Sequence, residues 1–132
     1  MKSLTFLRTA YWIGIIADAV NGIAMIYPPL LRSMLRLESA QYSVELRSAL
    51  GMEASLMFGW TALLYWAYLR PVERKGVLLI TVFPVIVGLA LTTLYGYLNA
   101  YIPLEGAVPI WIFQAFLTIV FISAYFLAPD GQ

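Results

Sequence analysis

The stretch Ile15–Met25, IIADAVNGIAM, sets a carboxylate, Asp18, and an amide, Asn21, inside an otherwise apolar run. Followed outward, the run covers positions 5–30, enough for the roughly 20 apolar residues that a helix needs to cross about 30 Å of hydrocarbon. An ionisable group in that medium costs on the order of 2.5–3.5 kcal/mol, so Asp18 needs a protein neighbour. The helical spacing supplies one. Ala10, Gly14, Asp18 and Gly22 recur every four residues and form a narrow stripe of small side chains on which another helix can pack closely. Asn21, three residues on, is expected beside Asp18 and able to donate to its carboxylate.

Composition extends this reading to the whole chain. The 132 residues are 62% hydrophobic and 11% charged, against roughly 25% charged in an ordinary soluble domain. Four spans are expected near 5–30, 48–69, 77–98 and 108–127. Tyr27-Pro28-Pro29 closes the first and Arg70-Pro71 the second, because proline lacks a backbone donor and restricts the residue before it. The connections 70–76 and 99–107 are short, which makes neighbouring helices antiparallel. The expected fold is all-α, a single integral membrane domain over 1–132 arranged as an up-down four-helix bundle. The runs lack the strict alternation of a membrane β-barrel.

Between the first two spans, LRSMLRLESAQYSVELR (31–47) mixes Leu31, Met34, Leu35 and Leu37 with charges, as a short interfacial segment would. The other reading is a linker whose second half, capped by Ser39, extends the next helix into water. Lys2, Arg8, Arg70, Arg74 and Lys75 fall on one side of the bilayer and Arg32, Arg36 and Arg47 on the other, a bias that puts both termini in the cytoplasm. Ala17-Asp18-Ala19 has the form of a signal-peptidase site, but the apolar core before it is only about six residues, so no cleavage is expected. The net charge of +1, with no basic cluster, excludes nucleic acid as a partner. Without Cys or His there is no thiol chemistry, no zinc site of those ligands and no His or Cys haem ligation. No metal site is expected, and no cofactor is indicated.

Polar residues recur in the other spans. In the second, Glu53 begins a face that continues through Met57, Trp60 and Leu64, while Gly51, Ser55 and Gly59 form an opposite face expected to pack another helix. In the third, Thr81, Val85, Gly88, Thr92, Tyr95 and Asn99 follow a single seam, with a kink at Pro84. The fourth carries Trp111, Gln114, Thr118, Phe121 and Tyr125. At about 1.5 Å per residue, Glu53, Thr92 and Gln114 are expected roughly 8–9 Å from the helix ends opposite the termini, Asn21 about 14 Å and Asp18 about 18 Å. An outward-opening pocket follows, lined by Asp18, Asn21, Glu53, Trp60, Thr92, Tyr95, Trp111 and Gln114, with Asp18 and Glu53 as a candidate acid/base pair. The alternative is that these groups only satisfy one another and fix the register of the bundle.

The layout of four spans, a longer connection at 31–47, a tight basic turn at 70–76 and a short chain resembles the DoxX-like group of small bacterial membrane proteins. That resemblance implies the bacterial inner membrane and an accessory or quinone- or redox-linked role. The acids Asp18 and Glu53 in the first two spans are similar in arrangement to those of the sterol-isomerase and sigma-2-receptor superfamily, which implies isomerisation or binding of lipophilic, often cationic molecules. Small multidrug exporters share the size, the spans and an acid in the first helix, and depart at Glu53 and at 31–47. The leading expectation is a binding or accessory protein for a lipophilic small molecule in the lipid bilayer, alone, as a homo-oligomer or beside a larger membrane partner. A membrane-embedded isomerase-like enzyme and a proton-coupled cation exporter are the alternatives.

Overall fold

The computed structural model describes residues 2–37 and 42–129. Their regular structure is helical throughout: α1 (Lys2–Ile26), α2 (Pro28–Leu35), α3 (Val44–Tyr68), α4 (Gly76–Ile80), a π-helical turn (Thr81–Ile86), α5 (Val87–Leu98) and α6 (Leu104–Leu127). Three stretches are long and apolar enough to cross a membrane: Lys2–Ile26, Gly76–Leu98 and Leu104–Leu127. The helix α3 equals α1 in length at 25 residues but is less apolar, carrying Glu45, Arg47 and Glu53 among its aromatic residues.

The local sequence explains the helix ends. Tyr27 is extended (φ −108°, ψ 92°), and Pro28 and Pro29 occupy the first positions of α2, where a missing N–H costs nothing. The two prolines therefore end α1 and also start α2. That helix stops at Arg36, which takes the left-handed conformation (φ 52°), and the next N–H, from Leu37, returns to the Arg32 carbonyl at 3.0 Å. Ser39, the expected cap, lies outside the described residues. The observed cap of α3 is Ser43, whose hydroxyl accepts from the Leu46 N–H at 3.2 Å. Helix α6 begins at Leu104, four residues before the expected start at 108, with Pro103 at its N-cap and Pro109 accommodated in its second turn.

The third span departs from its expected seam for a local reason. At Pro84 the helix is broken by a π-helical turn and by Phe83, whose φ −114° and ψ 107° are not helical. The backbone leaves the helix at Phe83, so no single helical period runs through the break. Before the break Leu78, Thr81 and Val82 are buried, and beyond it Ile86, Thr93 and Gly96, while Thr92 and Tyr95 are exposed. Of the expected seam, Thr81 is buried and Val85 and Gly88 are half-buried, whereas Thr92, Tyr95 and Asn99, all beyond the kink at Pro84, are exposed.

Helix α1 packs most extensively on α3 and then on α6, and α6 in turn packs on α4, the π turn and α5. The helices thus follow one another as α3, α1, α6 and α5, and α3 and α5 do not pack extensively on each other. Solid packing is concentrated at the end that carries the termini, here the near end. Leu7, Tyr11, Leu64, Leu78, Val82 and Phe121 are fully or almost fully buried there. Tyr11 donates to the Arg74 carbonyl at 2.9 Å and ties α1 to the turn after α3. The far half holds a smaller cluster of Met25, Ala54 and Met57, with Ala24, Leu31, Ile102 and Ala107 buried nearby.

At the far end α2 crosses the first turn of α6 so closely that a Cβ on Gly106 would lie 2.3 Å from the Leu35 carbonyl oxygen. Backbone cannot swing aside as a side-chain tip does, so Gly106→Ala must displace α2 or α6. We expect a loss of about 1–3 kcal/mol, read as a lower melting temperature in detergent. Gly51→Ala, where a Cβ meets nothing within 4 Å, should melt at or above the wild-type temperature, since alanine favours the helix.

Candidate functional site

The register of α1 against α3 follows from four facing pairs. Trp12 meets Tyr68 edge to face, with ring centroids 5.6 Å apart. Gly14 faces Leu64 and Gly22 faces Phe58. Asn21 Nδ2 donates to Met57 Sδ at 3.7 Å. This antiparallel register sets Asp18 level with Trp60 and Thr61, and Glu53 level with the end of α1. The two carboxylates are therefore separated by about 12 Å along the helix axes. Helical side chains lean toward their own N-terminus, so Asp18 and Glu53 also lean away from each other. That spacing is beyond the direct or one-water reach of an acid/base pair. Asp18 thus lies about two turns deeper than Glu53, beneath it as the expected depths of about 18 Å and 8–9 Å have it.

Asp18 lies where the small-residue stripe places it. Ala10, Gly14 and Gly22 are buried to either side of it on α1. Across from the stripe stands Phe121 of α6, whose Cζ would be 2.8 Å from a Cβ on Gly14. Gln114, two turns before Phe121 on the same face of α6, comes level with Asn21. It is offset from Asp18 by about 5 Å along the axis. Asp18 Oδ2 and Gln114 Oε1 are both buried without a hydrogen-bond partner. The expected bond from Asn21 to Asp18 is not the one formed. Asn21 turns one residue-step around the helix to Met57, because α3 covers that side and offers a thioether.

The remaining expected residues are engaged elsewhere or point outward. Trp60 donates to Thr81 Oγ1 at 3.1 Å, and Thr81 donates to the Val77 carbonyl at 2.8 Å. This contact joins α3 to the π turn. Trp111 donates to the Ala90 carbonyl at 3.3 Å and stands edge-on to Tyr97 at 6.0 Å, joining α6 to α5. Thr92 spends its hydroxyl on the Gly88 carbonyl of its own helix, and Tyr95 is 71% exposed. These last two lie beyond the kink at Pro84, are exposed, and are not brought to Asp18. The Gly51, Ser55 and Gly59 face, expected to pack a helix, is exposed.

Sequence reasoning missed the cover over this region. Besides the contact of Leu35 with Gly106, burial raises the Tyr101 phenol above its usual pKa, and Tyr42 adds to the rise. Tyr42, just before α3, thus lies near Tyr101 in the loop before α6. Gly106 was the available signal, a glycine in the first turn of an apolar helix where only a close backbone approach requires one. Asp18 and Gln114 lie on the side where α1 meets α6, and α3 and α5 do not pack extensively on each other. In comparisons with known proteins, no family model, curated protein or solved structure matches this chain.

Proposed function

We propose that the chain is a four-span protein of the bacterial inner membrane, with both termini cytoplasmic, that holds a lipophilic small molecule bearing a hydrogen-bond donor in its far half. The reading takes α3 as the fourth span, its Glu53 at the rim and its exposed aromatic residues toward lipid. One observation carries the binding role: Asp18 Oδ2 and Gln114 Oε1 are buried acceptors left unpartnered within about one turn of each other. Buried polar atoms are nearly always paired, and each orphan costs about 1–3 kcal/mol. The two side chains lean apart, toward the N-termini of antiparallel helices, and a molecule whose hydroxyl or amine enters that gap would pair them, with Asn21 and Met57 alongside. The weak packing of α3 on α5 gives such a molecule a lateral way in from the bilayer.

Native mass spectrometry of protein extracted in mild detergent tests this directly. The wild type should carry a small non-protein adduct that exchanges with added lipophile, and Asp18→Leu should lose it while remaining folded. A wild type without any adduct, or an adduct that Asp18→Leu retains, would overturn the proposal.

A further inference from the structure

At the near end a shallow groove of about 280 Å³ runs between the start of α1 and the turn after α3, lined by Leu4, Arg8, Arg70, Pro71, Val72 and Glu73. Its two arginines differ from the other cations nearby. Arg74 lies 3.5 Å over the Trp66 ring and donates to the Trp66 carbonyl, and Lys75 sits 5.5 Å from the Tyr125 centroid. Arg8 is exposed and has no ion-pair or hydrogen-bond partner among the described residues. Arg70 meets Glu73 through Nη1 alone at 3.3 Å, with the two side chains 64% and 65% exposed. An exposed pair of this kind contributes little and exchanges readily.

We propose that this groove holds the phosphate of an anionic phospholipid. Guanidinium forks match phosphate oxygens in shape as well as charge, and Arg8 and the unengaged nitrogens of Arg70 supply two of them in one groove. Leu4, Pro71 and Val72 give the glycerol and the first methylenes an apolar wall at the level where a membrane meets water. Glu73 also lines the groove, so a monoanionic phosphodiester is accepted in preference to a multiply charged headgroup. The site rests on the membrane reading of the chain and is independent of the Asp18 site.

The test is titration of the full chain, in neutral detergent, with short-chain phosphatidylglycerol, followed by native mass spectrometry. One molecule should bind per chain, about fivefold more weakly in Arg8→Gln and in Arg70→Gln, and weaker again in the double variant. Arg47→Gln, at the far end, and Asp18→Leu should bind as the wild type does, which separates this site from the proposed inner one. Both arginine variants are exposed and should melt as the wild type. Equal binding of phosphatidylcholine, displacement by inorganic phosphate, or undiminished binding in the double variant would each overturn the assignment.

Discussion

Gly14→Leu should prevent the bundle from assembling. Gly14 is where three helices meet: a single added Cβ would lie 2.8 Å from Phe121 Cζ and 3.1 Å from Leu64 Cδ1, and Phe121 and Leu64 are 1% and 0% exposed. Neither neighbour has room to withdraw, because both belong to the buried cluster that also holds Tyr11, Leu78 and Val82. A leucine adds four carbons to that contact. Overpacking costs about 1–3 kcal/mol where the surroundings yield, and more where they do not. Set against a total stability of roughly 5–15 kcal/mol, such a loss should appear as aggregated or undetectable protein in detergent. Gly59→Leu, with nothing within 4 Å of its Cβ, should express and melt normally. Gly14→Ala, which adds one carbon, should be partly rescued by Phe121→Leu, since residues in contact couple energetically. A Gly14→Leu protein that melts like the wild type would mean that α1, α3 and α6 do not meet at this point.

How far the amino-acid sequence exposed this arrangement varies with the physics at each position. The stripe of Ala10, Gly14 and Gly22 was legible because an unbroken α-helix keeps every fourth residue on one side, and α1 is unbroken from Lys2 to Ile26. The face of α6 was legible in part: Phe121 is buried on it, but its buried neighbours are Leu117 and Ala124, while the expected Gln114, Thr118 and Tyr125 are half-buried. In the segment from Gly76 to Leu98 the same arithmetic failed beyond Pro84, since the kink was visible but the way the non-helical Phe83 turns the following helix was not. Thr92 and Tyr95 lie beyond that break and are exposed. The register between helices was not legible, because it is set by contacts such as Gly22 with Phe58 that no single helix encodes. The fold of α2 over Gly106 is a long-range contact of the same sort, signalled only by the glycine itself.

Gln114→Leu should change stability and binding in opposite directions. Its Oε1 is buried and unpartnered, so protein stripped of its adduct pays for an unmet acceptor. A leucine of similar bulk removes that cost, and the stripped variant should melt higher, by the equivalent of about 1–3 kcal/mol. The adduct, which loses a hydrogen-bond acceptor, should be held about tenfold less tightly. Asp18→Leu should move both quantities in the same two directions. In the double variant the loss of binding should fall short of the sum of the single losses, because one donor group serves both acceptors. A bundle in which these side chains only fix the register predicts the reverse sign for stability: removing either group would unfix a contact and lower the melting temperature. The measurement is a melt of stripped and adduct-bearing protein for each variant, and the opposite movement of its two halves is the signature of a binding site rather than a structural one.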